Sequence, residues 1–222
     1  MTTLFDIGFE DQRFIPDIQN MGNFVGMTGG TIEISAAAAL VGSYGMAVTP
    51  RTGGSVSNYS NWAFLCRYVG RQSRFRQRFY FDPNSISVSN GKYVHIAKGG
   101  NYSDPRYVVF MYYSSGYYIQ MDCYTDSGGT ASSANYSMGD QPRYIEVDWK
   151  ASDGPGLNNG YMNLWINGVH QGSSPTVSGV DNDTKRVYHP QLGCCYGHSA
   201  TVSGTMYFDG WKANDDGSAI GA

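Results

Sequence analysis

Along most of the chain, hydrophobic and polar positions alternate with a period of two, and the helical period is nearly absent. Thr31–Ser35 alternates cleanly, with Ile32 and Ile34 sharing one face. The residues after it, AAAALVGSYGMAVT, begin like a helix but soon meet Gly42 and Gly45. They read as a small-residue loop entering a strand at 44–49. The clearest strand is 75–81. It sets Phe75, Gln77, Phe79 and Phe81 against Arg74, Arg76, Arg78 and Tyr80, and Asp82-Pro83-Asn84 ends it, because proline cannot donate to a ladder.

A short strand is expected at 93–98, then a hairpin over 106–124 that turns at Ser114–Gly116. Residues 127–137 read as a Gly/Ser-rich loop. Strands 144–150 and 161–167 flank the turn-rich SDGPGLNNG. Asn167-Gly168 is a tight-turn signal, with VHQGS as its returning partner. A last strand covers 204–213. Many short strands separated by glycine-rich turns predict an all-β fold, a two-sheet antiparallel β-sandwich or jelly roll, as one domain over 1–222.

Composition narrows the function classes. Charged residues make up 15% of the 222 and aromatics 14%, with 18 Tyr and 29 Gly, a bias suited to strands, turns and contact surfaces. A net charge of −3 gives no electrostatic case for nucleic acid or an anionic membrane. No apolar run approaches a membrane span. The N-terminus lacks the basic and apolar regions of a signal peptide, so the expected location is extracellular or on a virion surface, reached without a recognisable leader.

Three pieces in order resemble the concanavalin-A-like or laminin-G-like jelly-roll superfamily. They are GFED with TIEISAAAALVGSYGMAVT, then RYIEVDWKAS with NNGYMNLWINGVHQGS, and the closing GTMYFDGWKANDDGSAIG. The resemblance spans both ends and the middle. That superfamily includes lectins, carbohydrate-binding modules, laminarinase-type hydrolases, lyases and phage capsid or tail modules, so the fold does not settle the function.

YIEVDWK is the first place to look for catalysis. Tyr144, Glu146, Asp148 and Lys150 share one face, and Ile145, Val147 and Trp149 the other. Laminarinase-like hydrolases resemble this with Glu-x-Asp-x-Glu, and a retaining mechanism needs two carboxyl groups about 5–5.5 Å apart. Lys150 stands where the second glutamate belongs, which favours a solvated sheet face. The arginines of RYVGRQSRFRQRFYF lie opposite its phenylalanines, so they cannot interleave with them to stack bases. Arg74, Arg76 and Arg78 are expected to pair with carboxylates such as Glu146 and Asp148, or to contact an anionic glycan or neighbouring subunit.

Four cysteines, Cys66, Cys123, Cys194 and Cys195, allow disulfides or free thiols. HPQLGCCYGH crowds two His and two Cys together, but its spacing fits no common zinc pattern. Acids near both ends, Glu10, Asp11 and Asp209, could hold the structural Ca²⁺ that similar modules often carry there. Asp181–Asp183 reads as a turn. Trp62, Tyr59, Tyr112, Tyr113, Tyr117 and Tyr118 are candidates for contact with sugar or protein, whereas Trp149, Trp165 and Trp211 alternate as core. Four sequons, at Asn58, Asn101, Asn135 and Asn182, matter only in a eukaryotic secretory pathway. The expected function is a non-catalytic surface module of a larger assembly such as a virion, without a cofactor beyond possible Ca²⁺, contacting neighbouring subunits or polysaccharide. The alternatives are a free-standing carbohydrate-binding module and a degenerate glycosidase or lyase.

Overall fold

A computed structural model describes residues 2–14, 24–27, 29–51, 63–101, 104–195 and 201–222. The strands of the first half are β1 Thr3–Ile7, β2 Phe24–Met27, β3 Thr31–Ser35, β4 Gly45–Thr49, β5 Ala63–Cys66, β6 Arg74–Asp82, β7 Ser87–Val88, β8 Lys92–Gly100 and β9 Pro105–Tyr113. The rest are β10 Tyr117–Tyr124, β11 Thr130–Ser132, β12 Tyr136–Ser137, β13 Arg143–Lys150, β14 Gly160–Ile166, β15 Val169–His170, β16 Val177–Val180, β17 Gln191–Cys194, β18 Val202–Ser203 and β19 Met206–Asn214. One 3₁₀ turn, Ala36–Ala38, stands where the alanine run starts like a helix, and Gly45 opens the strand after it.

Two large antiparallel sheets form a β-sandwich of jelly-roll type. One has nine strands, ordered β15-β14-β13-β6-β19-β4-β3, with β1 on β19 and β16 on β14. The other has eight, ordered β11-β10-β9-β8-β17-β5-β2, with β12 on β10. Among the described residues no helix is long and apolar enough to cross a membrane.

Period-two patterning builds the core. Phe75, Phe79, Phe81, Ile145, Val147, Trp149, Phe208 and Trp211 from the first sheet meet Leu65, Val94, Tyr107, Val109, Met111, Ile119, Met121 and Leu192 from the second. Gln77 shares the phenylalanine face of β6 and is fully buried, so its amide needs partners inside. Its Nε2 donates to Tyr107 Oη at 2.9 Å, and its Oε1 accepts from Trp211 Nε1 at 2.9 Å. This bridge ties the two sheets together. Gly99 makes room for it, since a Cβ there would lie 2.1 Å from the Tyr107 ring. Trp165 departs from the expected core role. It lies opposite Glu146 in the register and takes the outer face, with the Arg76 guanidinium 4.2 Å from its ring centre.

Candidate functional site

The two outer faces differ in how their polar groups are satisfied. On the nine-stranded sheet, Arg74 Nη2 lies 2.9 Å from Asp148 Oδ2 and Arg76 Nε 2.5 Å from Glu146 Oε1. Residues 214–221 then close over these pairs. Gly217 O accepts from Arg76 Nη1 at 2.9 Å, and the Glu146 carboxylate accepts from the amides of Ile220 and Gly221 at 2.8 and 3.1 Å. Gly217 adopts φ +73, and a Cβ there would sit 1.8 Å from Arg74 Cζ. Arg78 donates to Gly210 O at 2.7 Å. Glu146 is 3% exposed and Asp148 2%. Glu146 therefore holds residues 220–221 down, and both carboxylates are committed to arginines of β6.

The eight-stranded sheet is built differently. Lys98, Gln191 and Cys66 stand directly opposite one another on β8, β17 and β5, so their side chains share the outer face. Val108 and Asp122 continue the same row on β9 and β10. A β-bulge between His95 and Ala97 places two residues of β8 against one step of β9. The extra residue returns Lys98 to the face that already carries Tyr93 and His95.

Lys98 is 1% exposed, and burial lowers its pKa to about 8 from 10.5 against weaker opposing contributions from Cys195, Cys66 and Asp104. Gln191 is also 1% exposed, and the polar side chain beside its amide is the Cys66 thiol directly opposite on β5. His189 stands beside this row. Its ring lies 5.3 Å from that of Tyr68, and burial and then Lys98 lower its pKa, so the neutral form is favoured. Tyr68 itself is 49% exposed. Burial pushes the Cys66 thiol up to about 12, which leaves it protonated and unreactive.

Towards the other end of the face the surface is aromatic. Tyr93, Tyr112 and Tyr118 lie in register on three adjacent strands, with His95, Phe110 and Gln120 in the next row. The rings of Tyr93, His95 and Phe110 are mutually 4.7–5.1 Å apart.

The sequence candidates scatter. Tyr112 and Tyr118 face outward here, but Tyr117 is buried with its hydroxyl donating to Ile86 O at 2.6 Å, and Tyr113 packs edge-on against it. Trp62 and Tyr59 lie outside the described residues. Arg74, Arg76 and Arg78 belong to the other sheet. The disulfide expectation is corrected: Cys66, Cys123, Cys194 and Cys195 are all buried free thiols. The terminal acids do not converge on one point. Glu10 accepts from the Ser43 and Tyr44 amides, Asp209 from those of Leu40, Val41 and Gly210, and Asp11 from that of Arg13. Among the described residues the carboxylates that do converge are Asp126, Asp181 and Asp183, with oxygens within 4.8 Å of one another.

No family model matches the chain, and no curated protein matches it in sequence. Solved structures do match. The endo-β-1,4-glucuronan lyase of the fungus Trichoderma reesei superposes with a TM-score of 0.66 at 14% identity, over 96% of this chain and 95% of that one. The cellulose-induced protein Cip1 gives 0.64 at 15% identity, over 98% and 99%. The alginate lyase vAL-1 of Chlorella virus gives 0.56 at 10% identity, over 87% and 92%. The shared property is the fold. The non-enzyme expectation is overturned by these neighbours, because two of the three are lyases that fill the same sandwich nearly end to end. The expectation rested on the missing second glutamate near Lys150, which bears on one sheet and one kind of chemistry only.

Lys98, Gln191, His95 and Asp122 went unrecognised in the sequence. Strict alternation from Tyr93 puts Lys98 on the core side with Val94 and Ile96. The one available hint was the adjacent apolar pair Ile96-Ala97, both fully buried, which is what a bulge looks like in sequence.

Proposed function

We propose that the chain binds an acidic polysaccharide across the outer face of the eight-stranded sheet and cleaves it by β-elimination, with Lys98 as the base. The carrying observation is the row of Lys98 and Gln191, a buried lysine with a pKa of about 8 directly opposite a buried amide on the same sheet face. Lyases among the structural neighbours act on glucuronan and alginate, which gives the reaction class its precedent on this fold.

The chemistry asks for three things in a uronate: a base for the proton α to the carboxyl, a donor for the carboxylate as negative charge builds, and a proton for the departing oxygen. A lysine poised near neutrality supplies the first. Gln191 Nε2 is a fixed neutral donor of the kind that stabilises developing oxyanions. Neutral Lys98 takes the C5 proton, the C4–O bond breaks, C4 and C5 become doubly bonded, and the ammonium so formed gives the proton to the leaving glycosidic oxygen. Neutral His189 does not add a second cation beside the base. The aromatic rows at Tyr93, Tyr112 and Tyr118 offer apolar ring faces with hydroxyl edges for the rest of the glycan.

The test is incubation with glucuronan, alginate and a neutral glucan while following the ultraviolet absorbance of unsaturated uronate. Absorbance should rise on a uronate polymer and vanish in Lys98→Met. Reducing ends without unsaturation, or full activity in Lys98→Met, would reject the mechanism.

A further inference from the structure

Of the three arginines on the outer face of β6, two meet carboxylates and the third does not. Arg74 takes Asp148, and Arg76 takes Glu146. Arg78 stands directly opposite Glu146 on β13 and Lys212 on β19. Yet the Glu146 oxygens are turned to Arg76 and to the amides of Ile220 and Gly221, and Lys212 pairs with Asp6. Among the described residues no carboxylate lies within ion-pair distance of Arg78. Its Nη1 donates to Gly210 O at 2.7 Å, which uses one of the five N–H groups of a guanidinium, and its Nε is buried without an acceptor.

The guanidinium is nevertheless pinned. It lies 5.0 Å over the Tyr80 ring, and Gly210, at φ +52, keeps β19 clear of both groups. A Cβ there would stand 2.8 Å from Arg78 Nη1 and 3.1 Å from Tyr80 Cδ2. Tyr144, directly opposite Tyr80, meets that ring at 61° with the centres 6.0 Å apart. Its hydroxyl reaches over Gly168 in the turn after β14, where a Cβ would lie 2.5 Å away. Arg78 and Tyr144 are therefore diagonal neighbours on adjacent strands, with Cα atoms about 7–8 Å apart. Both side chains are partly exposed.

A pinned cation without an anion, beside an aromatic ring, matches the two features of a uronate: an apolar pyranose face and a carboxylate. We propose that Tyr144, Tyr80 and Arg78 form a second glycan site, on the sheet opposite the one that carries Lys98. It binds a uronate of an acidic polysaccharide, with Tyr144 under the sugar ring and the Arg78 fork on the carboxylate. Tyr80 holds the fork in place. A neutral sugar lacks the partner that the fork needs, so the site discriminates by charge. It goes beyond the proposed chemistry at Lys98 and does not depend on it. A second contact keeps the protein on the polymer by raising the effective concentration of the first.

The test is affinity electrophoresis through gels that hold glucuronan, alginate or a neutral glucan, in a Lys98→Met background so that the polymers stay intact. At least one uronate gel should retard the Lys98→Met protein, and the neutral gel should not. Adding Arg78→Gln or Tyr144→Ala should weaken the retardation at least several-fold, and Tyr144→Phe, which keeps the ring, should recover most of what Tyr144→Ala loses. Thermal melts check the fold of each variant. If Arg78→Gln does not fold, Tyr144→Ala against Tyr144→Phe decides. Unsaturated product is followed separately with Lys98 in place. Its absence, with retardation that still depends on Arg78 and Tyr144, would sink the lyase reading and leave this site standing. Retardation that ignores these substitutions, is equal in the neutral gel, or is missing from the Lys98→Met protein would overturn the site.

Discussion

A lysine with 1% of its surface exposed is costly, and that cost is itself measurable. Lys98 has a native pKa of about 8 and an ordinary value of 10.5. Between those values the unfolded chain holds a proton that the native chain has released, so the contribution of this group to stability rises with pH across that window. Below about pH 8 the penalty is constant, about 3 kcal/mol. The groups facing it are Cys66, Cys195, Asp104, His95 and His189, and the two thiols stay protonated. Lys98→Met should therefore melt higher than wild type at pH 7, by up to that amount, and lose the advantage as pH approaches 10.5. A variant less stable at pH 7 would show that the lysine is held by favourable interactions and is not poised as a base. The same titration predicts a rate profile. On a uronate polymer kcat/KM should climb as pH passes through about 8 and then level off, while Lys98→Arg, which cannot lose its proton, stays silent throughout.

At the level of strands, the sequence carried most of the fold. β3, β6, the β9–β10 hairpin and the Asn167-Gly168 turn, both residues of which have positive φ, follow directly from alternation and turn chemistry. What alternation could not carry was β17. Gln191–Cys194 is four residues long and buried throughout, and a segment of that kind has no polar face to announce a strand. Its neighbours His189, Cys194 and Cys195 drew attention to metals and disulfides. Placed between β8 and β5, β17 is what brings Gln191 beside Lys98. β13 went the other way: its alternation was legible, and its Glu146 and Asp148 were legible as partners for arginines on β6, but the closing segment 214–221 over them was not. Contacts from residues more than 70 positions away leave no periodic trace. Glu146→Gln tests the role that geometry gives it. Breaking a buried pair should cost about 3 kcal/mol or more in thermal or denaturant unfolding. Cleavage per folded molecule should not change, and its loss would return catalysis to the nine-stranded sheet.

On the scale of the whole molecule, the sandwich is held by packing and by buried polar links, without covalent staples among its four cysteines. The Tyr107–Gln77–Trp211 bridge crosses the core, and the segment 214–221 clamps the outer face of the nine-stranded sheet. The cysteines divide in the same way. Cys123 lies in the core with Asn182 Nδ2 3.7 Å from its Sγ, and burial pushes its pKa up to about 12; Cys66 and Cys195 pack with Phe64 on the outer face of the eight-stranded sheet. Burial disfavours the thiolate, the reactive form, at Cys66, Cys123 and Cys195, and Cys194 is fully buried. In native buffer a chromogenic disulfide reagent should therefore find essentially no reactive thiol, and in denaturant it should find all four. The melting temperature should be the same with and without a reducing agent, since a disulfide across a long loop would be worth about 3–5 kcal/mol and its reduction would be plain in the melt. Rapid labelling of a single thiol in the native protein would mark Cys66 or Cys195 as accessible. It would mean that the Lys98 face opens in solution, and a polysaccharide substrate added in excess should then slow that labelling.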